Sequence, residues 1–204
     1  MNSNSKSSIN YMSTAHRFIA AIVVIAVVFA GINEIMQTHI IERLERKYFY
    51  PYPYENIIDK YAKQYNMDAS LAAGIILTES GFAPNAKSHR GAIGLMQIMP
   101  ETGEWIARSI NDKNYSTAKL YDPETNIHYG MWYLSFLMKE FNNNEILVAA
   151  AYNAGHGQIE EWRRIYKWDS SFNDYDKIPF KETRDYVHKV LDNKESYQKL
   201  YNGG

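Results

Sequence analysis

The chain offers one carboxylate in a setting suited to acid–base work. The segment ESGF at residues 79–82 runs fifteen residues ahead of GLMQIMP at 94–100; the first supplies Glu79 and the second supplies no acid at all. Enzymes that cut glycosidic bonds usually employ two carboxylates. Glu79 closes a helical pattern, ASLAAGIILTES, in which Leu71, Ile75 and Glu79 recur at i, i+4 and i+8. That spacing keeps the three within roughly 80° of arc, so Glu79 continues the apolar stripe that faces a core. It also sits in the last helical turn, where the backbone dipole disfavours an anion. Partial burial and the dipole both predict a raised pKa, and a glutamate protonated near neutral pH is what a general acid needs. The competing reading is an outward, solvated glutamate.

Other chemistry is constrained by composition. There is no cysteine, which excludes disulfides, thiol nucleophiles and thiolate metal sites. The histidines (His16, His39, His89, His128, His156 and His188) show no HxxxH or HxH spacing. No metal and no cofactor is therefore expected. Lys and Arg number 22 against 23 Asp and Glu, a balance that gives no nucleic-acid footprint. Seventeen tyrosines and four tryptophans supply aromatic faces that either fill a core or stack on sugar rings.

Three ordered blocks sharpen the question about Glu79. ESGFAPNAKSHRGAIGLMQIMP, AAAYNAG at 149–155 and IPFKETRDYVHKVL at 178–191 together resemble the catalytic domain of soluble-type lytic transglycosylases. These belong to the goose-lysozyme-like superfamily and cleave peptidoglycan. The resemblance spans about residues 52–200 and implies a mainly α, lysozyme-like domain. It implies that Glu79 is the single catalytic acid/base, with Ser80 continuing its motif. By the same likeness Ser88 lies near the cleaved sugars, and Met96, Gln97 and Met99 line the groove beside the glutamate. Tyr152 and Asn153 match the Ala-Tyr-Asn motif, whose tyrosine lies close to the glutamate. Glu182 and Tyr186 match a Glu-Thr-Arg-x-Tyr block that contributes a distal wall. One departure is His156, where a proline commonly follows Ala-Tyr-Asn-Ala-Gly. From the residues alone, Tyr152 and Tyr186 also read as core aromatics, Met96 and Met99 as core filler, and Gly91 and Gly94 as backbone-geometry positions.

The implied partner is peptidoglycan glycan, cut without water at the N-acetylmuramic acid–β-1,4–N-acetylglucosamine bond to leave a 1,6-anhydromuramoyl end. A substrate acetamido group and the C6 hydroxyl would then do the work of a second carboxylate. Two other readings stand beside this one: a goose-type hydrolase that activates water, and a wall-binding module without chemistry. For the hydrolase the available acids are Glu101, Glu104 and Asp122, each of which also reads as a helix-start residue.

The elements that must position these residues are helical. Asp68 is a cap for the 69–80 helix and Gly81 its stop. Pro100 opens a helix through Ile110, and Asp122-Pro123-Glu124 opens another carrying Ile127, Met131, Leu134, Met138 and Phe141 at helical spacing. Residues 144–153, 158–166 and 181–200 complete the set, and alternating strand patterns are nearly absent. The start of the chain is different in kind. Residues 18–32, FIAAIVVIAVVFAGI, are uncharged and span ~22 Å as a helix, or nineteen residues if extended through Met36. This predicts a polar cytoplasmic lead (1–17), a transmembrane anchor or signal segment (18–36), a stalk (37–51) and the catalytic domain (52–204). Lys6 and Arg17 ahead of the apolar run favour a cytoplasmic N-terminus and an extracytoplasmic domain. The alternative is a cleaved signal peptide that leaves the domain secreted.

Overall fold

The structure, a computed structural model, describes residues 4–201, which fall into two compact units divided between Phe49 and Tyr50. The first unit is one helix, α1 (Asn4–Tyr48). Its segment Ala21–Tyr48 is long and apolar enough to cross a membrane. The apolar side chains lie open: Ile25 is 67% exposed and Phe29 72%. The span and the stalk distinguished in the sequence are continuous here, because the Glu-, Arg- and Lys-rich stretch after Met36 is itself a good helix former. Pro51 ends the possibility of helix, since the residue before a proline is pushed out of the α region.

The second unit is built from helices whose ends are written in the sequence. Helix α2 (Glu55–Tyr65) stops at Asn66, in the left-handed region at φ 53°. Asp68 caps α3 (Ala69–Ser80), its carboxylate accepting from the Ser70 N–H at 2.8 Å, and Gly81 closes α3 at φ 59°. Pro100 occupies the first turn of α4 (Pro100–Ser109). A 3₁₀ turn (Thr117–Tyr121) leads to α5 (Pro123–Glu140), capped by Asp122, and Asn144 caps α6 (Glu145–Ala154). Next come α7 (His156–Tyr166), a 3₁₀ turn (Tyr175–Lys177) and α8 (Lys181–Tyr201). Among the described residues there is no strand; the loop 81–99 carries only the isolated bridges Lys87–Ile93 and Ile93–Ile98. The domain is mainly α.

Helix α3 runs through the middle of the core. Leu71, Ala72, Ala73, Ile75 and Ile76 are buried on all sides. Helix α8 approaches so closely that a Cβ on Gly74 would fall 2.9 Å from the Val190 carbonyl oxygen. Asn193 of α8 donates to the Thr78 hydroxyl at 3.0 Å. Lys194, one residue on, bonds both oxygens of Glu145 at 2.7 Å and lies 3.4 Å from Asp68. These contacts fix α8 against the helix that ends in Glu79.

Candidate active site

Glu79 reaches the end of α3 half-buried, with its carboxylate largely removed from water. Burial pushes its pKa up from 4.5 to about 7, opposed by a hydrogen bond that Tyr186 Oη donates to Oε1 at 2.8 Å. Burial disfavours the charged form, whereas a donor aimed at the carboxylate favours it. Burial wins, so near neutral pH the group exists in both forms. Tyr186 is itself buried on α8, and its pKa is raised by burial and then by the Glu79 charge, so it stays a neutral donor.

A cavity of about 240 Å³ is lined by Gln97, Ile98, Met99, Thr102, Tyr133, Tyr152, Asn153, Ala154 and Gly155. Residues 97–99 form one wall, and a fully buried side chain braces the loop 93–98 behind them. Asn126 of α5 accepts from the Met96 N–H at 2.8 Å and donates to the carbonyls of Ile93 at 2.9 Å and Leu120 at 2.7 Å. Gly94, at φ 80°, passes against that amide, leaving no room for a Cβ. Gln97 takes up φ 47°, a left-handed conformation uncommon for a side chain of this kind. Ser80 ties the helix end to the same loop, donating to the Leu95 carbonyl at 2.7 Å.

The sequence-predicted residues divide into two groups. Gln97, Met99, Tyr152 and Asn153 line the cavity together. Met96 does not: its side chain is fully buried, with the sulfur packed against Gly130 of α5. It is core filler, and its contribution to the site is a carbonyl oxygen that accepts from Tyr152 Oη at 2.8 Å. Of the two tyrosines, Tyr152 feels the Glu79 charge as expected, whereas Tyr186 departs from its expected place. Tyr186, expected as a distal wall, is the direct partner of Glu79, while the Tyr152 hydroxyl is engaged by the loop backbone. The Glu79 charge nonetheless adds to burial in raising the Tyr152 pKa. Ser88 and Glu182 lie outside the cavity lining. The Ser88 hydroxyl accepts from the Ala92 N–H at 3.0 Å, closing the 88–92 turn, and Glu182 is exposed in the first turn of α8.

Three residues went unread in the sequence. Asn126 had a faint signal, an amide beside Ile127 and one helical turn before the small Gly130. Tyr133 and Thr102 line the cavity with no motif to announce them. The alternative acids are otherwise engaged. Asp122 accepts from the Thr125 N–H and hydroxyl at the start of α5, Glu104 pairs with Arg108 on the surface, and Glu101 is exposed in the first turn of α4. His156 opens α7 after Gly155 at φ 93°, packed between Phe136 and Phe141, and lies 3.5 Å from Glu140.

The profile of the transglycosylase SLT domain matches residues 56–174, more than half of the chain. The chain belongs to the transglycosylase SLT domain family. The soluble lytic transglycosylase helical domain profile matches residues 177–204. The soluble lytic murein transglycosylase of Escherichia coli K12 is 38% identical over 154 residues, covering 74% of this chain and 23% of that protein. The membrane-bound lytic murein transglycosylase C of Actinobacillus pleuropneumoniae is 31% identical over 169 residues, covering 71% of this chain and 45% of that one. Among solved structures, the 70 kDa soluble lytic transglycosylase of E. coli superposes with a TM-score of 0.70 at 36% identity over 77% of this chain and 25% of its own. The lytic transglycosylase Slt of Pseudomonas aeruginosa, solved as an inactive glutamate-to-glutamine mutant, gives 0.67 at 34% identity over the same shares. The chain thus spans about a quarter of the soluble relatives it matches, and the fold is lysozyme-like.

Proposed function

We propose that residues 52–204 are a lytic transglycosylase domain that cleaves the N-acetylmuramic acid–β-1,4–N-acetylglucosamine bond of peptidoglycan without water. The observation that carries this reading is Glu79: a single, largely desolvated carboxylate with a pKa near 7 and one neutral donor at 2.8 Å. Protonated Glu79 gives its proton to the bridging oxygen as the C1–O bond breaks. The substrate's 2-acetamido oxygen supports the positive charge at C1. The Glu79 carboxylate then takes the proton from the C6 hydroxyl of the same sugar, whose oxygen closes onto C1. The carboxyl is regenerated and the product carries a 1,6-anhydro end. A pKa near the working pH suits a group that must act as acid and then as base. Tyr186 supports the second role by stabilising the ionised form.

The cavity lining supports part of the substrate-binding assignments. Gln97 and Asn153 hydrogen-bond sugar substituents, Met99 and Tyr152 give apolar surface, and Tyr186 serves Glu79. Ser88 and Glu182 are assigned to more distal contacts on the resemblance alone. The apolar, exposed helix α1 supports membrane anchoring, with the N-terminus cytoplasmic and the domain extracytoplasmic; the 31% identity to a relative named membrane-bound is in keeping with this. Digestion of purified peptidoglycan, read by mass spectrometry, tests the chemistry. Products lighter by one water than their reducing-end counterparts are expected, and free reducing ends would overturn it in favour of a hydrolase. Digestion of intact spheroplasts with an external protease tests the topology; survival of the domain would count against an extracytoplasmic location.

A further inference from the structure

Outside the first unit, the large hydrophobic side chains exposed among the described residues are Ile165, Tyr166 and Phe180. They belong to one surface. Ile165 and Tyr166 come one helical turn after the buried Trp162, on its face of α7. Phe180 meets the Trp162 ring edge-on, with ring centres 4.8 Å apart. Trp168 stacks on Tyr166 at 5.4 Å and on Phe172 at 4.1 Å. This aromatic ridge is held in place from below. Lys167 ends α7 in the left-handed region at φ 59°, and Asn144 grips the following loop, donating to the carbonyls of Ser170 at 3.1 Å and Phe172 at 2.7 Å. None of these residues lines the catalytic cavity. Arg164 and Lys167 stand exposed beside the ridge and enter no ion pair among the described residues, whereas Glu160 and Asp174 are taken up by Arg163 and Lys177. Asp169, next to Trp168, turns its carboxylate to the N–H and hydroxyl of Ser171.

Resting on the anchoring reading above, we propose that the ridge of Tyr166, Trp168 and Phe180 is a second membrane contact, by which the domain docks on the anionic surface of the bilayer that α1 spans. Three half-exposed side chains offer on the order of 300 Å². That is well short of the ~800 Å² each partner gives to a stable protein interface. A weak contact suffices, however, when the opposing surface is tethered. Residues 49–54 tether the domain to the helix that this reading places in a bilayer, so lipid is always within reach. Tyrosine and tryptophan, each a ring with a polar handle, suit the boundary between headgroups and acyl chains. Arg164 and Lys167 supply the charge that lipid phosphates attract.

The test uses the full chain, reconstituted in nanodiscs of phosphatidylglycerol and phosphatidylcholine whose acyl chains are brominated. All four tryptophans lie in the second unit, and bromine quenches only on contact, so neither α1 nor mere tethering gives a signal. Tryptophan emission is expected to be lower than in unbrominated discs, and Trp168→Phe should remove most of that loss. Tyr166→Ser combined with Phe180→Ser should abolish it at an unchanged melting temperature. Equal emission in the two kinds of disc overturns the inference. So does quenching that survives Trp168→Phe or the double serine substitution. Should the serine chain lose its melting transition, Trp168→Phe decides alone. Quenching of equal depth in discs of phosphatidylcholine alone overturns the part given to Arg164 and Lys167. Ile165→Cys tests the rival occupants, since the chain has no other cysteine. Without quenching, a disulfide between two copies in one disc gives the face to a second copy, and protection of the thiol from maleimide by peptidoglycan gives it to glycan. Either result overturns the inference and leaves the anchoring reading standing. A chain that does not enter the discs overturns the anchoring reading itself, and the inference with it.

Discussion

Helices α1 and α3 are made from much the same apolar alphabet, yet they are finished differently. In α3, Leu71, Ile75 and Ile76 are fully buried and α8 lies close enough to exclude a side chain at Gly74. In α1, Val23, Ile25 and Phe29 keep more than half of their surface open. Apolar composition states only that water is unwelcome. What replaces water is set by what the rest of the chain supplies: protein for α3, and in our reading lipid for α1. The polar residues at the helix ends show the same contrast. Glu34 near the end of the apolar run is exposed, whereas Glu79 at the end of α3 is drawn into a site and its ionisation shifted.

The largest effect expected from breaking this contrast lies at that acid. Glu79→Gln should lower peptidoglycan cleavage by roughly 10²–10⁴-fold, the range for loss of a positioned proton donor, while circular dichroism shows the helices intact. Near-wild-type turnover by this variant would remove Glu79 from the chemistry. The apolar positions come next. Ile75→Ala empties a fully buried site and should cost about 2–5 kcal/mol, lowering the melting temperature of the domain on the order of 10 °C. Ile25→Ala should leave it unmoved. Equal shifts from the two substitutions would mean that α1 packs as a core helix. A charge separates the two helices further. Ile25→Lys should cost about 3 kcal/mol of membrane insertion, roughly a hundredfold in the fraction of chain sedimenting with membranes, with no change in the domain's melting.

Much of this was legible because helix ends and apolar stripes are local. Asp68, Gly81, Pro100 and Asp122 mark ends that the structure keeps. The direction of the Glu79 shift was legible from the stripe, although burial is its leading cause rather than the helix end. What escaped were contacts set by tertiary approach. Nothing in GLMQIMP says that Met96 turns inward onto Gly130, 34 residues later, while Gln97 beside it turns outward through a left-handed backbone. Nor does a motif distinguish Tyr152 from Tyr186 as the partner of Glu79; α8 decides that by lying along α3. Asn126 is the clearest case, because its three bonds run to segments that meet only in the folded domain.

The pH dependence carries the two smaller effects. Glu79 has a folded pKa of about 7 against its ordinary 4.5. The folded state therefore holds the proton over a range in which the unfolded chain has lost it, so stability declines as pH rises from about 4.5 through about 7. The full span is on the order of 3 kcal/mol. Glu79→Gln removes this slope, so its melting temperature should match wild type near pH 4 and exceed it near pH 8; parallel curves would contradict a buried acid. Activity should follow the same group, with kcat/KM falling above about pH 7 as the general acid ionises. Tyr186→Phe sharpens the assignment. The hydroxyl stabilises only the carboxylate, and a bond to a charged group contributes about 1.5–3 kcal/mol. Removing it should raise the Glu79 pKa and move the alkaline limb of kcat/KM to higher pH. A mere packing defect would lower the whole profile without displacing it, so a limb that stays in place, or moves to lower pH, would deny that this tyrosine tunes the acid.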